Sequence, residues 1–316
     1  MKKLGITYPA MTDQQLSIIT QLVGDQYEII ICKSGDPQLL ACDIVFGQLS
    51  NENLKHVTQL RWLHTSSAGV ERYTSTLPSG VTITNSSGAY GIGIAEYLLG
   101  MTLSLLRKFP DYHVQQQQQV WHDLGPIKSI YGSTVLVVGM GDLGSEYAKR
   151  VKALGAAKVI GVTRTAKNLA AYPFADQMVT LAELPEIIGQ ADITALCLPG
   201  TDETAGLFDT TLIGRMRQGS ILLNAGRGSA IDQTALAEAL NSGHLGGAGL
   251  DVTTPEPLPS NDLLWHSKNI LITPHVSGND SLELTTQLVV KIFIENLKRY
   301  MAGEPFERVV NRGTGY

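Results

Sequence analysis

Short apolar runs alternate with longer stretches of mixed polarity along almost the whole chain. The first series of runs is LGITY (4–8), YEIIIC (27–32), DIVFG (43–47), RWLHT (61–65) and VTITN (81–85), with helical material such as 13–23 between them. The second is STVLVVG (133–139), KVIGVT (158–163), QMVT (177–180), DITALCL (192–198), SILLNA (220–225), GGAGLDV (246–252) and NILITP (269–274). Continuous apolar strands separated by helices predict parallel sheets covered on both faces. Six or seven strands in the second series match a doubly wound nucleotide-binding sheet. Between the series, 91–107 reads as a helix that ends near Pro110 and can join two domains. The run 282–301 reads as a final long helix. No internal repeat and no long linker interrupts the pattern, and the glutamines at 115–119 read as a solvated helix face.

Composition narrows the function classes. The chain has 316 residues, enough for one large domain or two. Hydrophobic residues make up 43% and charged residues 17%, which suits a buried core rather than a disordered chain. The net charge is −5 with no long Lys/Arg run, so a nucleic-acid partner is not expected. No apolar stretch is long enough to span a membrane, and the first residues lack the apolar core of a signal peptide. Cys32, Cys42 and Cys197 form no CxxC and read as small buried thiols of a cytoplasmic, reducing compartment.

Chemistry enters where the second series begins. Its first strand runs into Gly139-Met140-Gly141-Asp142-Leu143-Gly144. A bare GxGxxG is weak, but this one follows a strand, opens a helix and leads to another strand. Gly139 permits the tight turn, Gly141 lets a pyrophosphate approach the backbone, and Gly144 allows close helix–strand packing. The helix start offers free N–H groups and the positive end of its dipole. At the end of the next strand, an NAD site would carry an acid for the ribose 2′-hydroxyl. Here the chain reads Val162-Thr163-Arg164-Thr165-Ala166-Lys167, with Arg164 twenty positions after Gly144. A guanidinium suits a 2′-phosphate, which predicts NADP(H) as the preferred cofactor and NAD(H) as the alternative.

Three further residues follow successive strands of the same series. Arg227 comes after SILLNA, Glu256 after GGAGLDV and His275 after NILITP. Ligands of open parallel sheets bind outside the carboxyl ends of the strands, so all three are expected at the edge that bears the glycine loop.

These motifs resemble those of the D-isomer-specific 2-hydroxyacid dehydrogenases. The likeness covers nearly the whole chain. It rests on the glycine motif, on Ala191-Asp192-Ile193 with Leu198-Pro199 and Thr201-Asp202-Glu203-Thr204, and on Asn224-Ala225-Gly226-Arg227-Gly228. Gly249-Leu250-Asp251-Val252 with Pro255-Glu256-Pro257-Leu258-Pro259, Thr273-Pro274-His275 and a Gly-Tyr near the C-terminus complete it. DVTTPEPLP looks most like the glyoxylate/hydroxypyruvate reductase branch.

The resemblance implies roles for matching residues. His275 would protonate the substrate carbonyl oxygen. Glu256 would pair with it and favour the imidazolium. Arg227 would hold the substrate and stabilise the developing negative charge. Asp251 would orient the nicotinamide carboxamide. Further cofactor contacts would fall to Asp142, Leu143, Thr163, Arg164, Thr165, Leu198, Pro199, Thr204, Ala225 and Gly278. Ser67, Ala68 and Gly69, after RWLHT, would offer backbone N–H groups to the substrate carboxylate. Asn85 and Glu96 match family positions and read as structural.

The family fold is discontinuous: residues 1–100 and 286–316 would form a flavodoxin-like substrate-binding domain, and 101–285 a Rossmann NAD(P)-binding domain, with a cleft between. The implied function is NAD(P)H-dependent reduction of a small 2-oxo acid to the D-2-hydroxy acid by a homodimer. In some relatives the arm bearing Trp121 reaches the partner subunit. Two rival functions are a dinucleotide-sensing protein like the corepressors of this superfamily, and an NAD-dependent biosynthetic dehydrogenase such as phosphoglycerate dehydrogenase.

Overall fold

The computed structural model describes residues 1–165, 168–279 and 282–313 and divides into two compact units. Lys167, Gly315 and Tyr316, which carried part of the sequence reading, lie outside the described residues.

The first unit, Met1–Tyr90 with the residues after Asn279, holds β1 (Lys2–Ile6), β2 (Tyr27–Ile31), β3 (Ile44–Gly47), β4 (Trp62–Thr65) and β5 (Thr82–Asn85). They form a parallel sheet in the order β2-β1-β3-β4-β5, a flavodoxin-like arrangement. Side chains alternate across a strand. Ile44 and Phe46 accordingly enter one apolar cluster with Leu4, Ile6 and Trp62, while Val45 enters another with Ile30, Leu63 and Ile83. The last helix, Glu283–Ala302, adds Val289, Phe293 and Leu297 to the first cluster, with the Phe293 ring stacked 4.0 Å from Phe46. A capping box at Thr12 and Gln15 opens the helix Asp13–Val23 on the same layer.

The second unit, Gly91–Asn279, holds β6 (Thr134–Val138), β7 (Lys158–Thr163), β8 (Gln177–Thr180), β9 (Ile193–Leu196), β10 (Ile221–Asn224), β11 (Gly247–Leu250) and β12 (Ile270–Ile272). The order is β12-β11-β10-β9-β6-β7-β8, and every pairing is parallel. This is a Rossmann-type sheet with one added strand; its topological switch point lies between β6 and β9. Leu136 and Val138 pack with Ile160, Val162 and Leu222 on one face, and Val135 and Val137 with Val159, Ile193 and Leu223 on the other. Both faces are therefore dry, as the unbroken apolar strands required.

The units divide at Tyr90/Gly91 and Asn279/Asp280, not at 100/101 and 285/286. The helix Gly91–Leu106 lies wholly in the second unit because it is tied to the helix Asp142–Ala153. Asp142 accepts from the Gly91 amide at 2.8 Å, Thr102 Oγ1 meets the Tyr147 hydroxyl at 2.8 Å, and Arg150 reaches Glu96 at 3.3 Å. Pro110 does not end this helix. It occupies the first turn of the next one, Phe109–Gln117, where its missing N–H costs no intrahelical bond.

Candidate active site

In the second unit, six loops leave the carboxyl ends of β6, β7, β9, β10, β11 and β12 and carry most of the residues singled out from sequence. They are joined where glycine admits direct backbone contact. A Cβ on Gly139 would lie 2.6 Å from the Cys197 carbonyl oxygen, one on Gly226 2.5 Å from that of Leu198, and one on Gly228 2.1 Å from that of Thr253. The β6, β9, β10 and β11 loops thus form one continuous crest.

The three motif glycines have separate jobs. Gly139 has φ +101°, a conformation that side chains rarely adopt. Gly144 packs on the loop itself, since a Cβ there would sit 1.9 Å from the Gly139 oxygen. Gly141 has no atom within 4 Å of such a Cβ, so the space over its backbone is open. That opening lies at the N-terminus of a twelve-residue helix, which fits a dinucleotide pyrophosphate. Asp142 is more than part of the motif: its carboxylate caps the helix Gly91–Leu106.

The remaining predicted residues divide between the crest and its supports. Leu198 and Ala225 are largely buried behind the loops. Thr204 is buried, and its hydroxyl closes the loop 199–204 on itself by donating to the Pro199 oxygen at 2.7 Å. Thr163 donates to the Thr165 oxygen at 2.8 Å and shapes the turn after β7. Arg164 is half-exposed, 4.0 Å from Glu203. Gly278 lies in the turn that follows His275.

His275 and Glu256 are brought together. His275 Nδ1 lies 2.8 Å from Glu256 Oε2, and Glu256 Oε1 accepts from the Thr253 amide at 3.2 Å. His275 has φ +52°, held by its amide, which donates to the Asp251 and Thr273 oxygens. With Nδ1 engaged by the carboxylate, Nε2 is the ring nitrogen available for proton transfer. Arg227 is anchored beside them: Asn224 Nδ2 donates to its carbonyl at 2.9 Å, and its guanidinium donates to the Gly226 oxygen at 2.8 Å.

Asp251 has a structural task that the implied role did not include. Its carboxylate is 1% exposed and accepts four hydrogen bonds, from Thr273 Oγ1 (2.7 Å), the Val276 amide (3.0 Å), the Ser277 amide (3.0 Å) and the Ser277 hydroxyl. Four donors match the acceptor capacity of a carboxylate. Asp251 therefore builds the loop that presents His275. Thr273 and Ser277 escaped the sequence reading as functional supports, because nothing local marks a polar residue whose partner follows another strand; Asn224, which shapes its own loop through Gly226 and Arg227, escaped it too.

In the first unit, residues 66–70 form the loop after β4. Its carbonyls are all tied back: Ser66 to the Tyr90 hydroxyl, Ser67 to the Ser86 amide (3.2 Å), Ala68 to Asn85 Nδ2 (2.8 Å) and Gly69 to the Ser67 hydroxyl (2.7 Å). Among the described residues the amides of Ala68 and Gly69 donate to no protein acceptor. The loop thus offers donors only, which suits an anion.

Burial pushes the Cys197 thiol up to about 12 and the Cys42 thiol up to about 11, so both stay protonated. Among the described residues no group of three or more His, Cys, Asp or Glu could hold a metal ion, and no helix is long and apolar enough to cross a membrane.

Comparison with known proteins agrees with this architecture. Residues 99–277 match the model of the D-isomer specific 2-hydroxyacid dehydrogenase NAD binding domain. The D-isomer specific 2-hydroxyacid dehydrogenase from Xanthobacter autotrophicus Py2, solved in complex with NADPH and MES, superposes with a TM-score of 0.82 at 27% identity, covering 100% of this chain and 99% of that one. Glyoxylate/hydroxypyruvate reductase HPR3 of Arabidopsis thaliana is 28% identical over 83% of this chain and 80% of its own length. D-3-phosphoglycerate dehydrogenase of Synechocystis sp. is 33% identical over 73% of this chain, but that match spans only 41% of the cyanobacterial protein. The chain belongs to the D-isomer specific 2-hydroxyacid dehydrogenase family, a family of oxidoreductases acting on CH–OH groups.

Proposed function

We propose that this protein reduces a small 2-oxo acid of the glyoxylate/hydroxypyruvate type to the D-2-hydroxy acid, as a cytoplasmic homodimer that prefers NADP(H). The observation that carries this reading is the 2.8 Å pair of Glu256 and His275 on the same crest as Arg227 and the open Gly141 backbone. A bound nicotinamide dinucleotide supplies the hydride. The chain's own groups do the rest. His275 Nε2 gives a proton to the carbonyl oxygen, while Glu256 fixes the tautomer and steadies the ring. Arg227 offers donors to the substrate and offsets charge on its oxygen. The amides of Ala68 and Gly69, beside Ser67, whose own amide donates to Thr65 Oγ1 at 3.3 Å, hold the substrate carboxylate without a counter-charge. Gly139, Gly141, Asp142, Leu143 and Gly144 cradle the pyrophosphate, and Thr163, Arg164 and Thr165 meet the ribose. Leu198, Pro199, Thr204, Ala225, Asp251 and Gly278 shape the remaining wall.

The NADPH complex of the Xanthobacter relative and the match to the Arabidopsis reductase support the cofactor and substrate class. Exposed Phe109, Val114, Val120 and Trp121, the last fully open to solvent, support an apolar arm that a second copy would cover. Three unpaired cysteines suit a reducing compartment.

The test is steady-state oxidation of NADPH and NADH, in parallel, with glyoxylate, hydroxypyruvate, pyruvate and phenylpyruvate. Fast NADPH turnover with the small acids is expected. His275→Ala should lower kcat by roughly 10²- to 10⁴-fold with little change in cofactor affinity. Near wild-type turnover in that variant would remove His275 as the acid. Tight cofactor binding without turnover on any acid would favour a sensing role.

A further inference from the structure

The strand β7 ends without a carboxylate, yet the fold brings one to the same place from another strand's loop. Glu203 Oε2 lies 4.0 Å from Arg164 Nη1. Glu203 belongs to the loop 199–204 that follows β9, and β9 and β7 flank β6 on opposite sides. The loop therefore reaches across the end of the central strand. Its backbone is held there by the buried Thr204, whose hydroxyl contacts the Pro199 and Thr201 oxygens at 2.7 and 3.1 Å. The two charged side chains stay in solvent, 46% and 64% exposed.

We propose that Glu203 sets the cofactor preference, by supplying the carboxylate that the end of β7 lacks. The inference rests on the dinucleotide reading above and narrows it. A ribose 2′-hydroxyl is both donor and acceptor, so it can donate to Glu203 while it accepts from Arg164. A 2′-phosphate has strong acceptors for the guanidinium but repels the carboxylate, so Glu203 must swing out before the phosphate docks. At 64% exposure that swing meets few obstacles. The pair thus serves both cofactors. Its preference for NADPH is narrower than Arg164 alone would give.

The experiment is a fluorescence titration of NADPH and of NADH into the full chain at low ionic strength, for wild type, Glu203→Gln, Asp202→Asn and Arg164→Ala. Glu203→Gln should tighten NADPH by roughly three- to ten-fold and weaken NADH by roughly two- to five-fold. Arg164→Ala should weaken NADPH by about ten-fold or more and NADH by a smaller factor of roughly two- to three-fold, since the 2′-hydroxyl loses one hydrogen bond where the phosphate loses an ion pair. Asp202→Asn removes the same charge one residue away and should move NADPH by less than about two-fold. The assignment falls if Glu203→Gln leaves the ratio of the two Kd values within about two-fold of wild type, or if Asp202→Asn shifts it equally. Wild type that binds neither nucleotide would overturn the dinucleotide reading, and this inference with it. Wild type that binds both, with Glu203→Gln unmoved, would overturn the role of Glu203 alone.

Discussion

Two carboxylates on the second sheet's functional edge are held in opposite ways. Asp251 is 1% exposed and takes four hydrogen bonds from the loop after β12. Glu203 is 64% exposed and meets Arg164 at 4.0 Å. A buried carboxylate with every lone pair used cannot move without stranding its donors. An exposed pair at that distance holds little energy and can be rearranged or replaced. The contrast teaches where the molecule is rigid. The group proposed to transfer the proton, His275, stands on a loop pinned by four hydrogen bonds. The group proposed to choose between cofactors stands where change is cheap.

Three measurements would break or sharpen this contrast. The largest effect is expected at Asp251. Asp251→Ala leaves two amides and two hydroxyls without their acceptor and should lower stability by about 3–4 kcal/mol. Urea unfolding of the second unit's signal checks it, and a loss below about 1 kcal/mol would show that the loop does not depend on that carboxylate.

The glycine loop offers the same contrast within six residues. Gly144→Ala forces a methyl to within 1.9 Å of the Gly139 oxygen and should lower Tm by roughly 5–10 °C. Gly141→Ala meets nothing within 4 Å, at an ordinary φ of −76°, and should shift Tm by less than about 2 °C while it weakens dinucleotide binding about ten-fold. Equal Tm losses in the two variants would erase the distinction between packing and binding glycines.

The smallest effect tests burial in the other sheet. His64 is fully buried between Thr84 Oγ1 at 2.7 Å and Ser86 Oγ at 3.4 Å. Burial, assisted by the Arg308 charge, pushes its imidazole down to about 3. Between about 3 and 6.5 the unfolded chain binds a proton that the folded chain refuses, so stability rises with pH through that window and levels off above it. The slope from this one group is at most about 1.4 kcal/mol per pH unit. Unfolding midpoints of wild type and His64→Gln from pH 5 to 7 should show a shallower rise in the variant. An identical slope would reassign the effect to other groups.

Much of this was legible beforehand, and for a definite reason. Strands buried on both faces read as unbroken apolar runs, so all twelve were visible as runs, with ends displaced by one or two residues. Gly139, Gly141 and Gly144 were legible because their demands are local: a turn, an open backbone and a helix start. Arg227, Glu256 and His275 were legible because a parallel sheet sends every strand end to one edge. What stayed hidden joins residues that are distant in sequence. Asp142 looked like part of a phosphate loop and proved also to cap a helix at Gly91. Asp251 was read as a cofactor contact, and its support of the His275 loop stayed hidden. Glu203 sat unremarked in a family motif until the fold carried it to Arg164. The division before Gly91 stayed hidden because the ties of the helix Gly91–Leu106 to Asp142, Tyr147 and Arg150 cannot be read from hydropathy.

The loop at 66–70 has a consequence for inheritance of function. The affinity for negative charge proposed for it would be written in the main chain, since its carbonyls are occupied and its amides at Ala68 and Gly69 are not. Side-chain exchange at those two positions can crowd or widen the space above the amides, yet it cannot delete them. Proline alone, having no N–H, removes a donor outright. A lineage can therefore vary the shape of what sits on this loop across many substitutions while the sign of charge it accepts stays constant.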